Sequence, residues 1–405
     1  MRFEHRAVPI VLAAVLIDTI VFGIVLPVFP ALITAIGHVD LEQPTRIGGY
    51  MLVVFALTQF FAGPVLGNLS DRFGRRPVLI ASMLAFGMDY ALMAWAPTLA
   101  WLFLGRAVAG IAGAVYGPAS SVLADVTPPE KRSGVFGLIG AAFGIGFVIG
   151  PAIGGLLADL GPRAPFIAAA ILALGNAAVM IFAMPETLAP EHRRPFRLRD
   201  AHVVGAFRPL FHAGNAAPLL AAWFVWQLAH MVYPATWAFW ATIRFDWDGR
   251  AIGWSLAFVG LVMALVQGGL TGRIIARVGE QRALVIGLAC AALSFLAFAF
   301  ITQSWQAYAL LFVSALSGLI FPAMNGLLSR LVDASHQGAL QGGIGSMGSV
   351  SSILGPLLLT QALATGVDHG FPGAAFLLAS ILALMSLGII LWKVLDRVPR
   401  AVSPA

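Results

Sequence analysis

The stretch GNLSDRFGRRP, residues 67–77, places one acid, three arginines, two glycines and a proline between two long apolar runs. The flanking runs, residues 47–68 and 77–96, are each long enough to cross about 30 Å of hydrocarbon as a helix. Only helices and closed barrels span lipid, and these runs lack the alternating pattern of barrel strands. The stretch is therefore predicted to be a polar loop between two membrane helices.

The rest of the chain repeats this pattern of apolar runs and short polar breaks. Of its 405 residues, 60% are hydrophobic and 10% are charged, whereas soluble domains have about 25% charged residues. We predict an all-α polytopic membrane protein with twelve transmembrane helices. The predicted spans are residues 7–35, 47–68, 77–96, 99–124, 133–157, 164–184, 214–241, 251–270, 283–301, 306–328, 338–363 and 372–394.

The longest polar break divides these spans into two sets of six. It predicts a first bundle at residues 1–184, a cytoplasmic linker at 185–212 and a second bundle at 213–405. A shift of 205 residues superposes one group of residues on another: Gly67, Arg72, Gly74 and Gly150-Pro151 fall on Gly272, Arg277, Gly279 and Gly355-Pro356. Two pseudo-symmetric bundles are typical of transporters that bind substrate between the halves. Chance matches among the 44 glycines are the alternative explanation.

The distribution of basic residues predicts the orientation in the membrane. Of the 24 Lys and Arg residues, Arg106 lies within a span and Arg46, Arg163, Arg244 and Arg250 lie on one side, which leaves 19 on the side of the 67–77 loop. An excess of this size marks the cytoplasmic side. We expect both termini in the cytoplasm and an uncleaved first span, because no A-x-A-like site follows its apolar run.

Several function classes are disfavoured by what the sequence lacks. The net charge of +6 is spread over many short loops, so nucleic acid is not an expected partner. The single cysteine, Cys290, permits no internal disulfide. No G-x-x-x-x-G-K-[ST] phosphate loop is present, so ATP is not expected to drive transport directly. We also expect no cofactor and no metal. The spans contain neither H-E-x-x-H nor G-x-S-x-G, so no catalytic residue is predicted.

Three charged residues, Asp18, Asp89 and Arg106, lie deep within predicted spans of the first half. A charge at such a depth costs about 2.5–3.5 kcal/mol, so each should face the bundle interior or water. Burial favours the neutral acid and a nearby guanidinium favours the ionised form. Asp18 or Asp89 is therefore a candidate proton carrier that Arg106 modulates. A static Asp–Arg pair is the alternative.

The seventh span supplies aromatic and polar candidates for a substrate site. Aromatic faces suit a planar or cationic amphipathic ligand, and embedded amides offer donors and acceptors. The candidates are Trp223, Gln227, His230 and Tyr233 in this span, with Gln267 and Asn325 in later spans. An interfacial aromatic belt is the alternative for Trp237 and Trp240, and amides also bond neighbouring helices. Pro234 is expected to break the seventh helix.

The sequence resembles the major facilitator superfamily, and within it the bacterial tetracycline/proton antiporters. The 67–77 loop is similar to the superfamily signature between spans two and three. The segment GIGFVIGPAIGG, residues 144–155, is similar to the antiporter signature G-x-x-x-G-P-x-x-G-G. Further similar segments are DTIVFGIVLPVFP, MDY, LGRAVAGIAGA, YPATW and HQGALQG. The resemblance implies that Gly146, Gly150, Pro151, Gly154 and Gly155 limit leak through the closed state.

For the 67–77 loop the resemblance implies a cytoplasmic gate. Gly67 and Gly74 would allow a tight reversal and close helix approach. Asp71 would bond a helix N-terminus or an arginine, and Asp125 would pair with Arg75 or Arg76. The complete set of gate candidates is Gly67, Asp71, Arg72, Gly74, Arg75, Arg76 and Asp125. The alternative is that the arginines only anchor the loop on the cytoplasmic side.

The second half departs from the resemblance. Tetracycline antiporters usually carry a His in span eight and an Asp in span nine, where this chain has Met263 and Ala291. Any proton coupling must then rest on the first half, which puts tetracycline itself in doubt as the substrate. The resemblance implies a proton-coupled exporter of small amphipathic compounds, acting as a monomer in the lipid bilayer of the bacterial inner membrane. Export of a specific metabolite, sugar or lipid is the main alternative, followed by an intramembrane enzyme or a channel.

Overall fold

The computed structural model describes residues 5–37, 42–113, 116–193, 216–330 and 337–393. All regular structure in these ranges is helical, and no strand occurs there. The prediction of an all-α fold is therefore confirmed. A helix satisfies its backbone hydrogen bonds within one segment, which is the requirement that hydrocarbon places on a spanning chain.

Among the described residues, eight α-helices precede the central polar break. They are α1 (Ala7–Val25), α2 (Phe29–Gly37), α3 (Glu42–Phe73), α4 (Arg75–Trp95), α5 (Leu99–Gly113), α6 (Tyr116–Val126), α7 (Pro129–Ala158) and α8 (Ala164–Ala183). A 3-10 turn at Leu26–Val28 joins α1 to α2 and contains Pro27, which has no N–H to continue the α-helical ladder. A second 3-10 turn, Pro190–His192, follows α8.

In the described part of the chain after the break, there are nine α-helices. They are α9 (Ala217–His230), α10 (Val232–Phe245), α11 (Gly249–Leu265), α12 (Gly272–Val278), α13 (Glu280–Phe300), α14 (Ser304–Ser314), α15 (Ile320–Arg330), α16 (Gln337–Asp368) and α17 (Ala374–Lys393). A π-helical turn, Val266–Thr271, joins α11 to α12, and a 3-10 turn, Ala315–Leu319, joins α14 to α15. The seventh predicted span breaks at Met231, three residues before Pro234, because that proline cannot donate to the carbonyl four residues earlier.

The number of spans is consistent with twelve. Among the described residues, ten helical stretches are long and apolar enough to cross a membrane. The described residues of two further predicted spans lie in shorter helices, α5 and α6 in the fourth span and α9 and α10 in the seventh. Residues 114–115, between α5 and α6, lie outside the described ranges.

Contacts between helices divide the chain into two compact units. The first unit comprises Met1–Val203 and Ala238–Leu261, and the second comprises Val204–Trp237 and Val262–Ala405. In the first unit α1 packs on α7, α3 on α5 and α4 on α8. In the second unit α17 packs on α9 and α13, and α16 packs on α9 and α17. Most of the predicted linker lies outside the described residues, so the division at residues 184 and 212 stays a prediction.

Equivalent positions of the sequence repeat adopt the same backbone conformation. Gly74 has φ +103° and ψ 161°, and Gly279, 205 residues later, has φ +81° and ψ 162°. Each of these glycines immediately precedes the first residue of a long helix. Pro151 and Pro356, also 205 residues apart, both lie inside long helices. These shared features support duplication over chance matching of glycines.

Candidate functional site

The polar loop of residues 67–77, called the gate loop below, turns at Gly74. The positive φ of this residue lies in the left-handed region that favours glycine. Its N–H donates to the carbonyl of Ser70 at 3.1 Å, which closes the end of α3. Gly67 lies inside α3, where an added Cβ would meet nothing within 4 Å among the described residues. Gly74 alone therefore makes the predicted reversal.

Arg75 organises the charges around the gate loop. Its Nη1 lies 2.6 Å from Asp71 Oδ1 and donates to the Ser70 hydroxyl at 3.1 Å. Its Nε lies 3.2 Å from Asp125 Oδ2, at the end of α6. Arg75 itself is buried, with 9% of its surface exposed. These four residues, Ser70, Asp71, Arg75 and Asp125, form what we call the gate cluster, which ties the ends of α3, α4 and α6 together.

The other two arginines of the gate loop have separate contacts. Arg76 donates from Nη2 to the carbonyl of Ile181 in α8 at 2.6 Å. The Arg72 guanidinium lies 4.9 Å from the centre of the Phe73 ring. Of the two partners predicted for Asp125, the structure therefore selects Arg75.

Glu186, which the sequence reasoning missed, caps the start of α4. Its carboxylate accepts from the backbone N–H of Arg75 at 2.9 Å and of Arg76 at 3.3 Å. It also accepts from the backbone N–H groups of the next two residues, Thr187 at 2.9 Å and Leu188 at 3.0 Å. A helix N-terminus favours a negative charge because its first N–H groups lack intrahelical partners. The only signal in the sequence was an acid placed just after the sixth span.

We expect Glu186→Ala to destabilise the gate cluster. Loss of an N-terminal cap costs about 1 kcal/mol, and the backbone that positions Arg75 would lose its anchor. The expected result is a lower Tm of the purified protein together with slower transport. Glu191→Ala is the matched control, since Glu191 is also exposed and follows α8 but makes no such cap. Equal effects of the two substitutions would contradict this role.

Asp89 in α4 and Arg106 in α5 form a buried ion pair, called the coupling pair below. Arg106 Nη2 donates to Asp89 Oδ2, and the residues are 8% and 1% exposed. Arg106 also donates to the Met93 sulfur at 2.9 Å, and its guanidinium lies 5.9 Å from the centre of the Phe55 ring. The pairing satisfies the requirement that a charge at this depth face a partner inside the protein.

Asp18 lies in a different environment from the coupling pair. It is half-buried in α1 and lines a cavity of about 20 Å³. The other lining residues are Val11, Ala14, Val15, Leu79, Met83, Ala119 and Met180. This lining includes neither Asp89 nor Arg106. The three deep charges of the first half thus lie in two places, the coupling pair and the position of Asp18 beside this cavity.

The glycines of residues 144–155 let α7 pack directly on the backbone of α1. An added Cβ would lie 2.7 Å from Thr19 Cβ at Gly146, 2.5 Å from the carbonyl oxygen of Ile20 at Gly150 and 2.8 Å from Ile24 Cα at Gly154. Gly155 faces the start of α11 instead, where an added Cβ would lie 3.2 Å from Arg250 Cα. Small residues allow such close approach of membrane helices, and Pro151 lies between them in α7.

The aromatic candidates of the seventh span pack in an aromatic cluster in which Trp223 is buried and His230 and Tyr233 are half-buried. Tyr233 lies 5.4 Å from the ring of Phe295, and His230 lies 5.4 Å from the ring of Trp226. Trp223, only 2% exposed, packs on Phe321 at 5.6 Å. Helices α9, α10, α13 and α17 supply most of these rings.

The belt explanation for Trp237 and Trp240 is wrong. They are 3% and 0% exposed, so neither ring reaches a membrane surface. Trp237 packs edge-on to Phe298 at 5.6 Å, and Trp240 packs edge-on to Phe245 at 5.2 Å. Packing against neighbouring helices, which hydropathy alone does not predict, determines their position.

The embedded amides occupy three separate places. Gln227 is half-buried, and its Nε2 would lie 3.6 Å from a Cβ added at Gly348 in α16. Gln267 lies in the π-helical turn against Gly318, and such turns recur at functional positions. Asn325 donates to the carbonyl of Phe321, one turn earlier in α15, at 3.0 Å.

The sequence matches the family model of the Major Facilitator Superfamily over residues 11–356 and 229–405. This chain belongs to the major facilitator superfamily. Membership of this superfamily makes the protein a transporter and not an enzyme.

Among the relatives of this superfamily member is the tetracycline resistance protein, class C, of Escherichia coli. The two are 41% identical over 384 residues, which cover 95% of this chain and 96% of the relative. The class B protein of Escherichia coli is 33% identical over 369 residues, covering 91% and 90%. Multidrug resistance protein 2 of Bacillus subtilis is 26% identical over 391 residues, covering 95% and 94%.

Solved structures confirm the superfamily fold. A bacterial homolog of the human lysosomal transporter Spinster, in an inward-facing and unoccupied conformation, matches with a TM-score of 0.77 at 14% identity over all of both chains. The human organic anion transporter MFSD10 matches with a TM-score of 0.70 at 23% identity, over 96% of this chain and 100% of that chain. At these identities the likeness concerns the fold.

Proposed function

We propose that this protein exports small amphipathic drugs, including tetracycline-like compounds, in exchange for protons by alternating access. The observation that carries the proposal is the similarity to tetracycline resistance proteins over nearly the whole of both chains. The chain's own features support it, since charged residues within membrane spans are costly and usually mark substrate or ion pathways. A proton that enters down a potential of 100 mV releases about 2.3 kcal/mol, and a pH gradient adds to this.

The proton is assigned to the acids of the first half. Asp18 and Asp89 are the proposed carriers, and Arg106 modulates Asp89 through their direct contact. The second half has Met263 and Ala291 where tetracycline antiporters usually carry His and Asp, and Ala291 is 1% exposed. Proton coupling in this protein therefore does not depend on those two groups.

The substrate path is assigned to the half-buried polar residues of the seventh span. Trp223, Gln227, His230 and Tyr233 are the proposed contacts, and Trp223 is the most buried of them. Gln267 and Asn325 are further proposed contacts, and aromatic faces beside amides suit amphipathic compounds with planar rings. The gate cluster is proposed to hold the cytoplasmic side shut and to open when the binding site turns inward.

The same proposal sets the location and partners of the protein. We place it as a monomer in the bacterial inner membrane, with both termini in the cytoplasm and with six spans in each half. The proton gradient supplies the energy, so no cofactor is required. The bias of basic residues towards the side of the gate loop supports this orientation.

Drug-stimulated proton movement tests the proposal. Inside-out vesicles with an acid interior and a pH-sensitive dye would receive tetracycline or the cationic dye ethidium. With wild-type protein we expect the dye signal to recover as protons leave in exchange for the drug, and we expect Asp18→Asn to abolish the recovery. No response to either compound, with folded wild-type protein in the membrane, would contradict drug–proton exchange.

A further inference from the structure

The two oxygens of the Asp89 carboxylate have different surroundings. Oδ2 accepts from Arg106 Nη2. Oδ1 is fully buried and has no hydrogen-bond partner among the described residues. Buried carboxylate oxygens without a partner are uncommon because burial removes their hydration. An oxygen without a hydrogen-bond partner can accept a proton without breaking the bond between Oδ2 and Arg106.

Gly105, the residue before Arg106 in α5, lies directly against this unpartnered oxygen. An added Cβ at Gly105 would be 2.5 Å from Asp89 Oδ1, 3.2 Å from Leu92 Cδ2 and 3.5 Å from Met93 Cγ. A separation of 2.5 Å is well inside van der Waals contact, so any side chain at this position would displace the carboxylate. The gap left by the missing Cβ is therefore the space that Oδ1 occupies.

Arg106 is held by groups besides Asp89. Its contacts to the Met93 sulfur and to the Phe55 ring do not involve the carboxylate. When a proton binds Oδ1, Oδ2 still offers a lone pair to Arg106 Nη2, so this hydrogen bond can persist in the neutral acid. Proton uptake then requires no movement of Arg106, only room for a hydrogen on Oδ1.

We infer that Gly105 is a positioning residue for proton exchange: its missing Cβ makes room for the unpartnered Oδ1 of Asp89 while Arg106 holds Oδ2. The inference rests on the proposed function, since it takes Asp89 to be a proton carrier. Gly105 acts through Asp89 and touches no substrate. The role assigned to it is to leave space for Oδ1 itself, which only glycine does at this position.

The test compares Gly105→Ala with wild type in purified, folded protein. Two quantities are measured, ethidium or tetracycline binding to protein in detergent and the rate of proton-driven exchange after reconstitution into vesicles. We expect drug binding to stay within about threefold, while the rate of proton-driven exchange in vesicles falls at least about tenfold, because a displacement near 1 Å of a reacting group costs up to about a hundredfold. Gly175→Ala, in α8 with nothing within 4 Å of an added Cβ, should behave as wild type.

Two further variants separate the proton role from simple crowding. In the double variant Gly105→Ala/Leu92→Ala, the smaller alanine at position 92 removes the contact of the new methyl group at position 105 with Leu92 Cδ2, so that helix packing can accommodate the methyl group. If Gly105→Ala/Leu92→Ala still lacks coupled exchange, the loss comes from Asp89, as we infer. If the double variant Gly105→Ala/Leu92→Ala exchanges drug for protons like wild type, the inference is wrong. It is also wrong if Gly105→Ala alone exchanges drug for protons at the wild-type rate.

Asp89→Asn distinguishes the failure of this inference from the failure of the proposed function. If Asp89→Asn retains full coupling, Asp89 is not a carrier, and both the proposed carrier and the role of Gly105 are contradicted. If Asp89→Asn loses coupling but Gly105→Ala keeps it, only the inference about Gly105 fails. Adding Gly105→Ala to Asp89→Asn should lower exchange no further, since the two substitutions remove the same step.

Discussion

Arg106→Ala is expected to reduce the stability of the folded protein by about 3–5 kcal/mol, the usual cost of removing one partner from a buried ion pair. Asp89 is 1% exposed and loses its hydrogen bond to Arg106 Nη2. Its carboxylate would then be charged without a partner, or would have to stay protonated. The measurement is the Tm of the purified protein and the yield of monodisperse protein after detergent extraction.

A neutral pair at the same two positions is the control for this prediction. Asp89→Asn/Arg106→Gln removes both charges together and keeps hydrogen-bonding groups at the contact. We expect this double variant to recover most of the lost Tm while proton-coupled transport stays absent. A single Arg106→Ala variant with the wild-type Tm would show that the buried pair contributes nothing to stability.

Gly154→Ala is expected to destabilise the protein although alanine is a better helix former than glycine. The new methyl group would overlap the backbone of Ile24, with its Cα 2.8 Å away, and backbone atoms cannot rotate aside. Overpacking of this kind costs about 1–3 kcal/mol, because α7 must move away from α1. The measurement is again the Tm, together with passive proton leak in vesicles, which should rise if α7 contributes to the closed state.

Gly144→Ala, ten residues earlier in the same helix, is the matched control. An added Cβ there meets nothing within 4 Å among the described residues. Glycine within a helix costs about 0.5–1 kcal/mol relative to alanine, so this substitution should leave the Tm unchanged or raise it. The two substitutions should therefore differ in sign. The same destabilisation at both positions would contradict the assigned packing of α7 on α1.

The fold was accessible from the sequence because hydropathy is a local property. Each predicted span depends on a run of apolar residues long enough to cross the membrane, and the helices follow these runs closely. The break in the seventh span was also expected, since Pro234 removes a backbone donor whatever surrounds it. The pairing of Arg75 with Asp125 could be anticipated from opposite charges at two helix ends on one side of the membrane.

The finer arrangement of the site depends on how the helices are rotated and packed. Asp18, Asp89 and Arg106 have similar predicted depths, but only their positions around each helix decide that Asp89 meets Arg106. Glu186 bonds the backbone of Arg75, which is 111 residues away in the chain. Trp240 was predicted near a membrane surface and is fully buried against Phe245. Such contacts leave no periodic signal in the sequence.

Drug accumulation driven by a pH gradient alone tests the central claim most directly. Inside-out vesicles containing the protein would be given labelled tetracycline or ethidium, with the interior acid and the membrane potential clamped at zero. The account predicts accumulation that collapses when an ionophore removes the pH gradient, and no accumulation with the Asp18→Asn/Asp89→Asn variant. Accumulation that survives loss of the gradient, or that persists in the double variant, would contradict proton-coupled export by the acids of the first half.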